Sequence, residues 1–390
     1  MTSVQGCAWF QADATQKIIN MFKAADREAF FVGGCIRNSL MDVAVTDLDM
    51  ATPLLPEEVM SLARTAGLKA IPTGIEHGTV TVVADGEPFE ITTFRRDVAT
   101  DGRRAVVAFA DDIAQDARRR DFSMNALYAG LDGAVIDPLG GMDDLLTRRV
   151  RFIGLPQDRI REDYLRILRF FRFHAVYGDD RAGLDAEALA ACAANLDGLE
   201  GLSKERIGAE MVKLAAAPDP STAIGAMDQS GVLQAILPAA SGRTLYPYVA
   251  LEFHVDAMAR LAALGGFDVA ERLKLSKKQA NQLALYQTSL ADTRSLNEIA
   301  FREGAEIALC VAALRAATFE QPLQSDLKAQ LVAASKQEFP IAAQDLMPQY
   351  SGAQLGSALK MLQRAWLDSG FALTKAQLLK LLEAKSNDQN

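Results

Sequence analysis

Apolar residues recur at helical spacing over residues 13–26, with Ile18, Ile19 and Phe22 on one face, and then close up into the short run Phe30-Phe31-Val32. The first pattern predicts an amphipathic helix facing a core and the second a short buried strand. Helical spacing resumes at Cys35, directly after Gly33-Gly34, so strand, glycine turn and helix succeed one another. Thr46 to Met50 reads as a returning strand, which Thr52-Pro53 stops. A helix runs from Pro56-Glu57-Glu58 through Ala66, with Gly67 ending it. Thr79–Val83 and Pro88–Thr92 are two strands about the turn Asp85-Gly86, and Val106–Phe109 is another, after a polar, turn-rich loop at residues 95–104. Asp116–Leu127 reads as a helix burying Phe122, Met124 and Leu127, and a hairpin about Asp132-Gly133 then closes the first domain near residue 140. Arg159–Phe173 reads as one strong helix. The rest of the chain is Ala- and Leu-rich helix, interrupted at residues 215–220 and at Pro238–Pro247, restarting at Ser276, with a last amphipathic stretch from Ser351 through Leu382.

Length and charge narrow the function classes. At 390 residues the chain is long enough for two to four units, each with a core. A net charge of −9 excludes nucleic-acid binding by the whole surface. The window 91–172, however, holds 15 arginines, no lysine and 13 acids, so it is +2 and the remainder is −11. Any basic patch is local. Cys7, Cys35, Cys192 and Cys310 stand far apart with no C-x-x-C pair, which predicts free thiols in a reducing, cytoplasmic compartment. With no apolar leader and no run of about 18 apolar residues, the chain is expected to be soluble and to have no membrane partner.

The candidate chemistry begins at the glycine turn. Gly33 and Gly34 permit close backbone approach, the unpaired N–H groups of the next helix face the turn, and Arg37 adds a positive charge, which together describe a cradle for a triphosphate. On the returning strand Asp47 and Asp49 project to one side, and two carboxylates that close call for a divalent ion. Twelve residues separate Gly34 from Asp47, room for one helix and a return to the neighbouring strand. Glu90 lies one hairpin away, either as an ordinary solvent-facing residue or as a third acid beside the pair. Arg95–Arg104 is either a solvated loop or a mobile basic segment that closes over substrate. Of Arg118, Arg119 and Arg120, which point in different directions, at least one can reach phosphate. On the long helix Asp163 and Arg166 are three apart and Arg169 lies on the next turn. Two readings of that pair stand: a surface ion pair worth ~0.5 kcal/mol, or a base reader. Cytosine and adenine both offer an amino donor beside a ring-nitrogen acceptor, which a carboxylate and a guanidinium match, whereas uracil and guanine do not.

In order along the chain, Gly33-Gly34-x-x-Arg37, Asp47-x-Asp49, Arg119-Arg120-Asp121-Phe122-x-x-Asn125-Ala126, Glu162-Asp163-x-x-Arg166 and Ser203-x-Glu205-Arg206-x-x-x-Glu210 resemble the motifs of the class II tRNA nucleotidyltransferases, the family of CCA-adding enzymes and bacterial poly(A) polymerases. The resemblance implies an α+β fold: a small mixed-sheet head of the polymerase β type at 1–140, then an all-helical neck (141–200), body (201–285) and tRNA-binding tail (286–390). It implies that Asp47 and Asp49 hold two Mg²⁺ ions, with Glu90 as third carboxylate. Gly33, Gly34 and Arg37 would hold the triphosphate, Arg120, Asp121 and Asn125 would position triphosphate and ribose, and Asp163, Arg166 and Arg169 would serve the incoming nucleotide. The implied reaction is template-independent addition of C, C and A to tRNA from CTP and ATP; the alternatives are poly(A) or A-only addition, and a catalytically dead tRNA-binding protein. The segment Arg95-x-Asp97-Val-x-Thr-Asp101-Gly102-Arg103 resembles the loop of enzymes that add the terminal A, and the chain ends without a basic extension, both favouring full CCA addition. With three histidines and no His-Asp dipeptide, a metal phosphohydrolase domain of the HD type is not expected.

Overall fold

The computed structural model describes residues 2–101, 104–110 and 112–387. They form two compact units, one comprising the chain up to Ala240 together with Gly266–Lys274, the other Ser241–Gly265 with the chain from Leu275 onward.

The first unit opens on a mixed seven-stranded sheet. Its strands are β1 (Phe30–Val32), β2 (Leu48–Thr52), β3 (Lys69–Gly74), β4 (Thr79–Ala84), β5 (Glu87–Thr93), β8 (Tyr128–Ala129) and β9 (Val135–Ile136), and a separate ribbon holds β6 (Arg95–Asp101) and β7 (Arg104–Phe109). The sheet order is β3-β4-β5-β2-β1-β8-β9, antiparallel throughout except between β2 and β5. The helices Asp13–Ala24 and Pro56–Thr65 pack on β4 through residues such as Ile18, Phe22, Val59 and Ala63, all buried, as the apolar spacing requires. A second cluster, with Val32, Phe94, Ala117 and Tyr128, joins the sheet to the segment after the ribbon. Phe122 carries the packing onward: its ring lies 4.9 Å from Phe152 and 4.7 Å from Phe173 on the helix Leu165–Tyr177. The sheet is thus joined to that helix by an aromatic seam worth more than its buried area alone.

Four expectations are corrected. Residues 95–101 are strand rather than loop. The charges of Arg95, Arg96, Asp97 and Asp101 break the apolar alternation that would announce β6, while β7 stands where Val106–Phe109 predicts a strand; Gly102 and Arg103 lie outside the described residues. Asp116–Leu127 is not one helix but Ile113–Arg118, an extended turn in which Phe122 bridges to Phe152, and a short 3₁₀ turn at Ser123–Asn125. The helix expected over 159–173 breaks at Asp163 (φ −153°, ψ 105°) into Pro156–Glu162 and Leu165–Tyr177. The cause is local: the Asp163 carboxylate accepts from Leu165 N–H at 3.1 Å, a cap that competes with helix continuation. Finally, Pro247 sits inside the helix Gly242–Leu251, which tolerates the lost N–H.

The second unit is helical, and its last core gathers Trp366, Leu362, Leu378 and Leu382 with Phe301, Phe339 and Phe371. The expected stretch after Ser351 is two helices, Gly352–Asp368 and Lys375–Asn387. Among the described residues no helix is long and apolar enough to cross a membrane. All four cysteines are free.

Candidate active site

Three carboxylates meet at one mouth. Asp47 stands one residue before β2, exposed, and Asp49 lies within it. The parallel pairing of β2 with β5 puts Asp49 directly opposite Glu90, so their side chains share a face. Asp47, Asp49 and Glu90 all line a cavity of about 670 Å³, with Glu87, Pro88 and Trp9 on its other walls. Burial first, and then the charge of Glu90 with Asp47 adding, push the Asp49 carboxyl above its ordinary range, against the pull of Arg120. Those are the electrostatics of carboxylates in want of a cation, and hard oxygen donors on one face suit a divalent metal.

The glycine turn lies next to them. Gly33 takes φ 73°, open to glycine but not to a β-branched residue, and the helix Gly34–Leu40 begins after it. The nearest atom to where a Gly33 Cβ would stand is Arg120 Nη1, at 3.5 Å, so Arg120 reaches the turn from behind. Arg37 is 6% exposed. It donates to Asn38 Oδ1 at 3.1 and 2.9 Å, to the Tyr177 hydroxyl at 2.7 Å and to Asn125 Oδ1, and its guanidinium lies 4.0 Å from the Tyr177 ring centroid. All those partners are neutral. A buried cation whose hydrogen-bond partners are neutral, with the Asp121 carboxylate acting on it without a hydrogen bond, is a place for an anion. Cys35 sits beside it as buried filler, its Sγ 3.4 Å from the Val32 carbonyl and its thiol pushed up to about 12 by burial.

Behind the turn Asp116, fully buried, accepts from Arg119 Nε at 2.7 Å, Arg120 Nη2 at 3.0 Å and the Tyr128 hydroxyl at 2.7 Å. Burial works to raise its carboxyl, but Arg120, Arg119 and Tyr128 hold it at about 2. Arg118 is exposed. A folded-state value below the unfolded one gives stability that is present above about pH 4 and lost as pH falls towards 2. Asp116→Asn is therefore expected to cost ~3 kcal/mol near neutral pH, with the difference from wild type narrowing in acid. Denaturant melts at neutral pH and at about pH 3 check this; a cost that does not change with pH would contradict it.

The remaining predicted residues form a chain of ion pairs. Asn125 donates to Asp121 Oδ1 at 3.1 Å, so the two do meet although no single helix carries them. Arg169 Nε donates to Asp121 Oδ2 at 2.7 Å. With Phe122 N–H at 2.9 Å as well, the Asp121 carboxylate is occupied by protein donors. Asp163 and Arg166 are not paired side chain to side chain: Asp163 accepts from Arg206 at 2.6 Å, while Arg166 donates to Glu162 and, at 2.8 Å, to the Arg159 carbonyl. Sequence reasoning missed Arg172, whose Nε donates to Glu210 at 2.5 Å, and Tyr177. Arg172 had a signal, since it continues the three-residue spacing Asp163, Arg166, Arg169. Tyr177 had none, because only the fold brings it to Arg37.

A carboxylate face suited to a divalent cation, a glycine turn backed by Arg37 and Arg120, and a mixed sheet are the features of a nucleotidyltransferase head. Residues 29–151 match the poly A polymerase head domain and 183–242 the probable RNA and SrmB-binding site of polymerase A. The chain is 32% identical to the mitochondrial CCA tRNA nucleotidyltransferase 1 of Mus musculus over 95% of its own length and 90% of that protein. It is 40% identical to the CCA-adding enzyme of Bacillus cytotoxicus over 52% of its length and 49% of that protein. The crystal structure of the Bacillus stearothermophilus CCA-adding enzyme in complex with CTP superposes with a TM-score of 0.77 at 27% identity, covering 97% of this chain and all (100%) of that one. The chain belongs to the CCA tRNA nucleotidyltransferase family, and the expected α+β fold with its helical remainder is the one observed.

Proposed function

We propose that this protein adds C, C and A in turn to the 3′ end of tRNA, without a template, using CTP and ATP and releasing pyrophosphate. The observation that carries the reading is the β2–β5 register, which aligns Asp49 with Glu90 beside Asp47, next to a glycine turn backed by Arg37 and Arg120. Asp47 and Asp49 are the residues that would hold two Mg²⁺ ions. When bound, such ions neutralise the triphosphate and lower the pKa of the attacking 3′-hydroxyl. Glu90 helps take the proton from that hydroxyl. Gly33 and Gly34 admit the triphosphate close to the backbone, and Arg37 and Arg120 balance its charge.

Arg169 and Asn125 face the ribose and phosphates, with Asp121 orienting both from behind. Asp163 and Arg166 present a carboxylate and a guanidinium to the base of the incoming nucleotide. In this reading residues 1–140 carry the chemistry, 141–200 the base reader, 201–285 form the helical body and 286–390 the tail that contacts tRNA, in the cytoplasm. Mammalian relatives carry a mitochondrial name, so the compartment rests here on the four free thiols alone. Pure protein incubated with Mg²⁺, tRNA lacking CCA and each labelled triphosphate tests the reading. Two C and then one A are expected; long A tails would make it a poly(A) polymerase, and no incorporation a binding protein only.

A further inference from the structure

The cavity beside the carboxylates is lined by four acids, Asp47, Asp49, Glu87 and Glu90, and among the described residues by no lysine or arginine. A triphosphate with its several negative charges has no counter-charge there, and the arginines that could supply one, Arg37 and Arg120, stand at the Gly33 turn. The two reactants must nevertheless meet at Asp47 and Asp49. The nucleotide therefore belongs on the arginine side, and the cavity is left for the other reactant, which brings a hydroxyl and little charge.

One wall of that cavity is Trp9, half-buried. Its indole N–H is already spent on Ser39 Oγ at 2.7 Å, and Ser39 in turn donates to the Cys35 carbonyl at 2.7 Å, within the helix that starts at the glycine turn. The ring is braced against Phe10 and Phe31, with centroids at 5.6 and 5.1 Å and near-perpendicular planes. Both phenylalanines are buried. An indole so held has its polar atom satisfied and its orientation fixed, and it still borders open space next to the catalytic pair. We propose that Trp9 is a stacking platform for the 3′-terminal nucleoside of the acceptor RNA, setting its 3′-hydroxyl beside Asp47 and Asp49. This inference rests on the function proposed above.

Stacking suits the task for a chemical reason. The growing end changes identity at each addition, so a hydrogen-bonding reader would serve one step and fail the next, whereas every base has a π-face. A cavity of about 670 Å³ has room for a nucleoside.

The test uses the full-length protein with Trp366→Phe, in which Trp9 is the sole indole, since the chain has two tryptophans. Trp9 emission is expected to be quenched saturably by tRNA lacking CCA, but not by CTP alone, nor by the same tRNA with an abasic 3′-terminal residue. Trp9→Ala is expected to raise KM for tRNA roughly 10-fold with KM for CTP unchanged. Trp9→Phe, which keeps a ring against Phe10 and Phe31, recovers most of the loss and controls for folding. Quenching by CTP alone, equal quenching by ordinary and abasic tRNA, or an unchanged KM for tRNA in Trp9→Ala would overturn the proposal. Wild-type protein that incorporates no nucleotide would instead overturn the reading of function.

Discussion

Incorporation of CTP into tRNA is expected to fall by at least ~10³-fold when Asp49 becomes Asn or Asp47 becomes Ala, a loss of the size metal-borne charge stabilisation supplies. tRNA binding is expected to stay nearly unchanged, because neither residue lies in the helical tail to which tRNA contact is assigned. Asp49→Asn has a second consequence that a merely structural aspartate would not have. The Asp49 carboxyl is pushed upward by burial and by Glu90, so in metal-free protein its charged form costs stability at every pH above the unfolded carboxylate range. The sign is opposite to that of Asp116: removing the charge relieves the fold. Asp49→Asn is therefore expected to melt a few degrees higher than wild type in chelator while being inactive. Gel-resolved incorporation, a tRNA-binding titration and a thermal melt check the three statements. Retained activity would refute the metal assignment, and a lower Tm would refute the electrostatic account of the site.

The second large effect concerns choice of base. Arg166→Ala is expected to reduce the preference for CTP over UTP by ~10- to 100-fold in kcat/KM, since a site built to hydrogen-bond a base loses discrimination when a donor is removed. Its own partners bear on the outcome. Arg166 is held by Glu162 and by the carbonyls of Arg159 and Arg119, and Asp163 by Arg206 and the Leu165 N–H, so each is aimed by a separate set of contacts. Glu162→Gln is expected to weaken discrimination in the same direction but less. Equal losses for CTP and UTP in Arg166→Ala would mean that the residue only ties helices together.

Much of this was legible from residues alone, for identifiable reasons. The strand, glycine turn and helix at 30–40 and the hairpins about Asp85-Gly86 and Asp132-Gly133 obey short-range rules, and each stands where periodicity and turn chemistry put it. The strands β3 and β6 escaped because Lys69–Gly74 and Arg95–Asp101 carry too little apolar alternation to announce a strand, whereas β7 was expected over Val106–Phe109. The break at Asp163 escaped because helical spacing continues on both sides of it, and only a side-chain cap marks the boundary. Asp49 and Glu90 could be brought near one another from hairpin logic, but their direct alignment depends on a parallel pairing between strands far apart in sequence. The same limit hid the Arg37–Tyr177 contact and the place of Trp9: neighbours made by topology leave no local trace.

In the proposed reaction the carboxylates of Asp47 and Asp49, with the metal they would hold, and the glycine turn face one another across the reacting phosphate. A structure of the wild-type protein with CTP and Mg²⁺ tests it most directly. It is expected to place the triphosphate against Gly33 and Gly34 within reach of Arg37 and Arg120, with density for metal between the phosphates and the carboxylates of Asp47 and Asp49. CTP bound in the acid-lined cavity or elsewhere, with Asp47 and Asp49 turned to bulk solvent, would contradict it.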